Sequence, residues 1–273
     1  MNPIWTEKNL GTITVLKAEN LLSEDFIEHC FTLRNGGFSP PPFDSLNLGL
    51  HVGDSQENVI KNRRLICESL GVDFENITCA EQVHGSRVAL ATKSELGRGS
   101  ISHISAIGGT DALITRTPNA VLMMFFADCV PIFIVDTKNR AVGLAHAGWR
   151  GTILGITAET LGAMEREFGT NPSECKAAIG PAIGQCCFEI SEEIAEKISK
   201  TMESSCIKRQ SNGSPHADLK LANKIGLERA GVPPSNIAVS ECCTCCNKDK
   251  FFSYRRDIRT GRMAAIIAIK AAD

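Results

Sequence analysis

The stretch VLMMFFADCVPIFIVDTKNRAVGLAHAGWRG, Val121 to Gly151, decides the fold class. It holds three apolar pieces, Val121 to Phe126, Pro131 to Asp136 and Ala141 to Ala145. Each is short, bounded by a break or turn, and rich in branched and aromatic residues, which predicts buried strands rather than helices. The longest apolar run, Val121 to Val135, is interrupted by Asp128 and Pro131 and falls short of the about 20 residues that a bilayer span needs. After the third piece come His146 and then Gly148-Trp149-Arg150-Gly151, so the strand ends at a turn with a histidine facing out of it.

Working outward, Asn76 to Val83, Arg87 to Thr92 and Asp111 to Thr115 also read as strands, making the middle of the chain dense in β-structure. Toward the N-terminus, TITVLKAE and IEHCFTLR alternate as strands do, and the second stops at Asn35-Gly36-Gly37. The connector from Phe38 to Gly53 is long, contains Ser45 and Asn47, and by its length reads as a functional loop. Asp54 with Glu57 suggests a capped helix from Asp54 to Leu70 that Gly71 closes. A second helix is predicted from Thr152 to Phe168, stopped by Gly169, and further helices near Glu192 to Met202 and Asp218 to Ala230. CKAAIG, NIAVSE and RMAAIIAIK supply late strands. Strands and helices do not alternate strictly, so the expectation is an α+β chain with mixed sheets in a single domain over residues 1–273.

Composition narrows the function classes. The 273 residues are 43% hydrophobic and 22% charged, with a formal net charge of -2, which offers no broad field for nucleic acid or an anionic membrane. The N-terminus lacks the pattern of a signal peptide, and the expectation is a cytoplasmic protein, monomer or homodimer, whose twelve cysteines are reduced.

Three residues share one local setting. His84 in EQVHGSRV, Cys129 in FFADCVPIF and His146 in the opening stretch each cap an apolar strand at a turn. Two imidazoles and a thiolate suit zinc, and three protein ligands leave open the fourth position that marks a catalytic site. Zinc lowers the pKa of bound water to about 7. Unrelated placement of the three residues is the competing reading.

QVHG at Gln82, ADC at Ala127, HAGWRG at His146, GPAIGQCCFEI at Gly180 and FFSYRRD at Phe251, with TLRNGG and SLNLGLHVGD before them, resemble the YfiH family. That family is also called laccase-domain or polyphenol oxidase, and purine nucleoside phosphorylase. The resemblance implies a four-layer α/β/β/α arrangement with mixed β-sheets. It also implies zinc on His84, Cys129 and His146, and phosphorolysis of purine nucleosides (adenosine, inosine, guanosine, methylthioadenosine) with accompanying adenosine deamination. The partners are then a purine nucleoside and inorganic phosphate.

Phosphorolysis needs an oxyanion clamp, and the planar fork of arginine suits it. Arg34, ending a strand before two glycines, and Arg150, at a predicted helix start, are the candidates, with Asn47 as a hydrogen-bonding partner for ribose or base and Asp128 as a proton carrier.

Other readings compete. Six histidines with no His-x-His pair are too few for a multi-copper centre, although one copper on two histidines and a cysteine, with Met123 or Met124 as axial ligand, is a defined alternative. Cys129 with His84 or His146 as base would make a cysteine hydrolase. Peptidoglycan-precursor editing and a zinc-stabilised interaction module complete the set. In ECCTCCNKDK, Cys242, Cys243, Cys245 and Cys246 lie too close in sequence to turn all four thiols to one ion, though Cys186 and Cys187 could supply partners in space. Buried thiols near the site are the expectation there.

Overall fold

The computed structural model describes residues 5–271. Two six-stranded sheets form its centre. The first runs in spatial order Trp5–Asn9, Thr14–Ala18, Ile27–Thr32, Met263–Ile269, Val121–Phe126, Ile77–Cys79, and the second Ile237–Val239, Cys175–Ile179, Val130–Asp136, Ala141–Ala147, Ala112–Thr115, Val88–Leu90. Both are mixed. Ile77–Cys79 pairs parallel with Val121–Phe126, which pairs antiparallel with Met263–Ile269. In the second sheet, Cys175–Ile179 is parallel to Ile237–Val239 and antiparallel to Val130–Asp136.

Side-chain alternation along the strands creates three apolar layers. Leu122, Met124 and Phe126 face Phe133, Val135, Val142 and Leu144 of the other sheet, forming the core between the sheets. Met123 and Phe125 point the opposite way, toward Ile66 and Cys67 of helix Gln56–Leu70. On the outer side of the second sheet, Ile132, Ile134 and Ala145 meet Leu161 and Met164 of helix Ile156–Phe168, together with residues of helices Glu192–Thr201 and Leu219–Arg229. The resulting order is helix, sheet, sheet, helices: the α+β, four-layer α/β/β/α arrangement expected. Among the described residues no helix is long and apolar enough to cross a membrane.

The core strands occur where the sequence predicts them, and the edges differ. Asn76 to Val83 is strand only over Ile77–Cys79, because from Glu81 onward the chain turns to build loop contacts. The predicted helix Thr152 to Phe168 is two helices, Trp149–Ile153 and Ile156–Phe168, broken at Gly155 with φ +75°. The first helix starts at Gln56 with Ser55 as cap, and Asp54 instead accepts hydrogen bonds from the Ser55 N–H and the Asn47 side chain. Trp5–Asn9 and the hairpin Ile207–Arg209 with Pro215–Ala217 were not anticipated, being short and half polar.

His29 lies in the strand Ile27–Thr32 at 2% exposure, with Nε2 accepting the Ala18 N–H at 3.0 Å. Burial, aided by Lys17, pushes its pKa from 6.5 down to about 3. The folded state therefore keeps His29 neutral where the unfolded chain takes up a proton. Its stabilising contribution is complete above pH 6.5 and declines as the pH falls from 6.5 toward 3. Denaturant titrations of wild type at pH 7.5 and 4.5 should differ through this residue by roughly 2–3 kcal/mol, the two pH units between 6.5 and 4.5 at about 1.4 kcal/mol each. His29→Gln, which keeps an acceptor but cannot titrate, should show a smaller difference; an equal one refutes the assignment.

Candidate active site and metal centre

The chain crosses from one sheet to the other in three residues. Val121–Phe126 ends, Ala127, Asp128 and Cys129 follow, and Val130–Asp136 begins in the second sheet. Asp128 makes the turn at φ +90°, and its carboxylate accepts Thr244 Oγ1 at 2.6 Å, Ser253 Oγ at 3.0 Å and the Arg255 N–H at 2.7 Å. These three donors fix a conformation that non-glycine residues seldom adopt. Asp128 thus braces the turn while also lining the cavity.

Register then sets the neighbours of Cys129. Val130 lies opposite Ala147 and Pro131 opposite His146, so Cys129 meets the end of the strand Ala141–Ala147. A Cβ on Gly148 would lie 2.8 Å from His84 Cδ2 and 3.3 Å from Cys129 Sγ, so only glycine admits both side chains. His84, at φ +61°, arrives on a loop held by Asp111. The fully buried Asp111 carboxylate accepts the N–H groups of Val83 at 3.2 Å, His84 at 2.9 Å and Gly85 at 2.7 Å. It also pairs with His146 Nδ1 at 2.8 Å, and the Asp111 carbonyl accepts the His146 N–H at 2.8 Å. One carboxylate thus places both imidazoles, leaving Nε2 of His146 toward the site.

The donor atoms of His84, Cys129 and His146 all lie within 4.8 Å of one another. The His84 and His146 rings meet edge to face at 4.8 Å. Burial opposes ionisation of the Cys129 thiol, but His146 and His84 outweigh it and hold its pKa below the ordinary value. Burial likewise opposes charge on His146, and the Cys129 sulfur and Asp111 outweigh it in the raising direction. A thiolate between two oriented imidazoles is a donor set that zinc accepts, and the Asp111–His146 contact is the outer hydrogen bond that fixes a ligand's ring and tautomer. The three residues fit a metal.

They open into a cavity of about 550 Å³, which the side chains of His51, His103, Trp149, Tyr254, Arg150, Arg255 and Arg262 also line. Of the arginines expected there, only Arg150 is present, stacked on Trp149 at 4.6 Å. Arg34 lies elsewhere. It donates to the carbonyls of Asp44 and Lys248, pairs with the Asp44 carboxylate at 3.3 Å and stacks on Phe252. Asn47 is fully buried and spends its amide on Gly49, Asp54 and the Arg262 N–H. Both hold loops and touch no part of the cavity, contrary to their expected role with substrate, but Asn47 positions the backbone of Arg262, which does line it. The long loop reaches the cavity through His51 rather than through Ser45 or Asn47.

His51, His103, Arg255, Arg262 and Asp111 were not anticipated. Arg255 stands within the FFSYRRD motif and His51 within SLNLGLHVGD, signals that were available; His103, whose ring lies 5.2 Å from that of His51, carries no distinctive local pattern. Met123 and Met124 are fully buried in separate apolar layers and do not line the cavity. Neither serves as the axial ligand that the single-copper alternative requires.

The cysteine cluster also differs from expectation. Cys186 and Cys246 are exposed rather than buried, and the sulfurs of Cys186, Cys187, Cys243 and Cys246 lie within 4.8 Å of one another.

Residues 28–270 match a family described as multi-copper polyphenol oxidoreductase laccase. The chain is 44% identical over 240 residues to purine nucleoside phosphorylase YlmD of Geobacillus stearothermophilus, covering 86% of this chain and 88% of that protein. It is 36% identical over 224 residues to adenosine deaminase RL5 of an unknown prokaryotic organism, covering 81% of this chain and 85% of that protein. The crystal structure of Bacillus licheniformis hypothetical protein YfiH superposes with a TM-score of 0.91 at 38% identity, covering 97% of this chain and 99% of the other.

Proposed function

The chain belongs to the multi-copper polyphenol oxidoreductase laccase family, whose YfiH-type members it resembles in sequence and fold, and from that premise we propose that it is a cytoplasmic, single-domain, zinc-dependent purine nucleoside phosphorylase with accompanying adenosine deaminase activity. The observation that carries this reading is one cavity in which a three-donor metal set, arginines and aromatic faces meet. His84, Cys129 and His146 would hold the ion, which would supply Lewis-acid polarisation suited to the water activation that deamination needs.

The protein's own groups provide the rest. In phosphorolysis a phosphate oxygen bonds to ribose C1′ as the glycosidic C–N bond breaks, and the electron pair leaves with the base, which must gain a proton. Arg150, Arg255 and Arg262 are the cations placed to hold phosphate. Arg255 is fixed by the Cys187 and Glu189 carbonyls at 3.2 and 3.0 Å, and Arg262 by the Thr260 and Gly261 carbonyls. Phe125, Trp149, Phe188 and Tyr254 offer surfaces against which a purine can stack. His103 is the imidazole at the same cavity offered to protonate the departing base, whereas burial and the Arg262 guanidinium push the His51 pKa down to about 4, leaving it a neutral hydrogen-bonding partner.

Zinc is chosen over copper because three donors leave one tetrahedral position open and no methionine lies at the cavity among the described residues. Purified protein incubated with adenosine, inosine, guanosine and methylthioadenosine should release base and form pentose 1-phosphate only when phosphate is present. Arg150→Ala should raise the KM for phosphate by about 10-fold or more, the loss of one charge-assisted contact of about 1.5–3 kcal/mol, with an unchanged melting temperature. No base release from zinc-containing protein would refute the activity, and an unaltered KM would remove Arg150 from the phosphate site.

A further inference from the structure

Two loops beside the cavity run side by side. They follow the parallel strands Cys175–Ile179 and Ile237–Val239, and pairing continues beyond the strands, where Ala182 bridges to Cys243 and the Thr244 N–H donates to the Ala182 carbonyl at 3.1 Å. That register brings Cys186 and Cys187 against Cys243 and Cys246. All four sulfurs fall within 4.8 Å of one another, with Cys186–Cys246 at 3.5 Å and Cys187–Cys246 at 3.3 Å. Four sulfurs at about 2.3 Å from one tetrahedral zinc stand about 3.8 Å apart, whereas a disulfide brings two sulfurs to about 2.0 Å.

The surroundings suit a bound cation. The Gly184 N–H donates to Cys243 Sγ at 3.1 Å, the kind of contact that stabilises a ligating sulfur. A Cβ at Gly184 would lie 3.1 Å from both Cys186 Sγ and Cys243 Cβ, so a side chain here would crowd the sulfurs apart. Four thiolates around a divalent ion carry net negative charge, and three cations are anchored on the same loops. Lys220 Nζ donates to the Ser240 and Cys242 carbonyls at 2.6 and 3.1 Å, Arg256 to the Thr244 and Cys245 carbonyls at 3.1 and 3.0 Å, and Arg255 to the Cys187 carbonyl.

We infer that Cys186, Cys187, Cys243 and Cys246 form a second metal site, a closed four-thiolate zinc centre separate from the His84–Cys129–His146 set. With all positions filled by protein, it takes no substrate and acts as a staple. It joins the loop carrying Ile183 and Phe188, which line the cavity, to the loop whose Thr244 braces Asp128. The inference stands on the four sulfurs and their loops and does not depend on the nucleoside reading.

Metal analysis of full-length protein purified under reducing conditions should find about two zinc ions per chain. The Cys186→Ser/Cys246→Ser double variant should hold about one, and His84→Ala should lose the other while retaining the staple. Should the double variant not fold, alkylation of native wild type followed by peptide mapping provides the second test. The four cysteines should be protected with zinc and become reactive after strong chelation. Equal zinc in wild type and a folded double variant, iron in place of zinc, cysteines that alkylate freely in the zinc-loaded protein, or a disulfide joining either loop cysteine to Cys246 would each overturn the inference.

Discussion

Cys129→Ser should lower nucleoside phosphorolysis and deamination by about 10³-fold or more and remove zinc from the cavity while the chain stays folded. Serine is nearly isosteric, but its hydroxyl does not ionise near neutral pH, so the soft anionic donor between two imidazoles disappears. Two neutral nitrogens remain, too few for a tight tetrahedral site. Folding should survive because the apolar layers on both sides of the sheets do not depend on this sulfur, and the shift in stability, compared between metal-free forms, should stay within about 1–2 kcal/mol. Activity, zinc content and thermal unfolding measured on the same preparations separate the readings. If Cys129 were a nucleophile in a metal-free hydrolase, wild type would keep full activity after chelation and Cys129 would alkylate irreversibly in zinc-loaded protein. If the ion only held an interaction module together, the variant would unfold. Full activity in the variant would refute a role for the sulfur altogether.

Asp111→Asn should be nearly as damaging, for a different reason. The Asp111 carboxylate never reaches the cavity, yet it accepts three consecutive backbone N–H groups and pairs with the ring that carries His146 Nε2 into the site. An amide can present one oxygen and one NH₂. Whichever way it turns, a donor faces either the His84 N–H and His146 ring or the Val83 and Gly85 N–H groups, and buried donors are left unpaired. Leaving such groups unsatisfied costs about 1–3 kcal/mol each, so a total loss of about 3–4 kcal/mol is expected. Metal affinity should fall by about 10–100-fold, the usual effect of removing a ligand's outer hydrogen bond. Zinc titration against a competing chelator, alongside denaturant unfolding, checks both; wild-type metal affinity in a destabilised variant would show that Asp111 holds the fold without positioning the ligands.

Much of the fold was legible because it is written in local patterns. The apolar pieces from Val121 to Ala145 are strands, and alternate residues of Val121–Phe126 face different cores. Gly71 and Gly169 close their helices in the left-handed conformation, where glycine carries no steric penalty. Gly155 escaped notice because glycine inside an otherwise apolar helical pattern is tolerated, and only the turn in the chain at φ +75° shows that it separates two helices.

The candidate site divides along the same line. His84, Cys129 and His146 were identifiable because each ends an apolar run beside a turn, and the order of the surrounding motifs named the family. Arg34 met the local criteria for an anion clamp equally well but faces Asp44 and Phe252, and His103 met none yet lines the cavity. The cysteines resisted for a geometric reason: four thiols within five positions cannot all face one ion, and their partners Cys186 and Cys187 lie about sixty residues away.

Sequence by itself determined which core segments are strands, which faces are apolar and which three residues bring metal-ligating atoms to turns, since these depend on period, composition and turn residues within short windows. Tertiary structure alone decided which strand ends share a cavity, which arginines reach it and which cysteines meet, since pairing between strands as distant as Val121–Phe126 and Met263–Ile269 sets the position of every loop between them. A side chain's neighbours across a sheet follow from register, and register is a property of the assembled sheet rather than of any single stretch of chain.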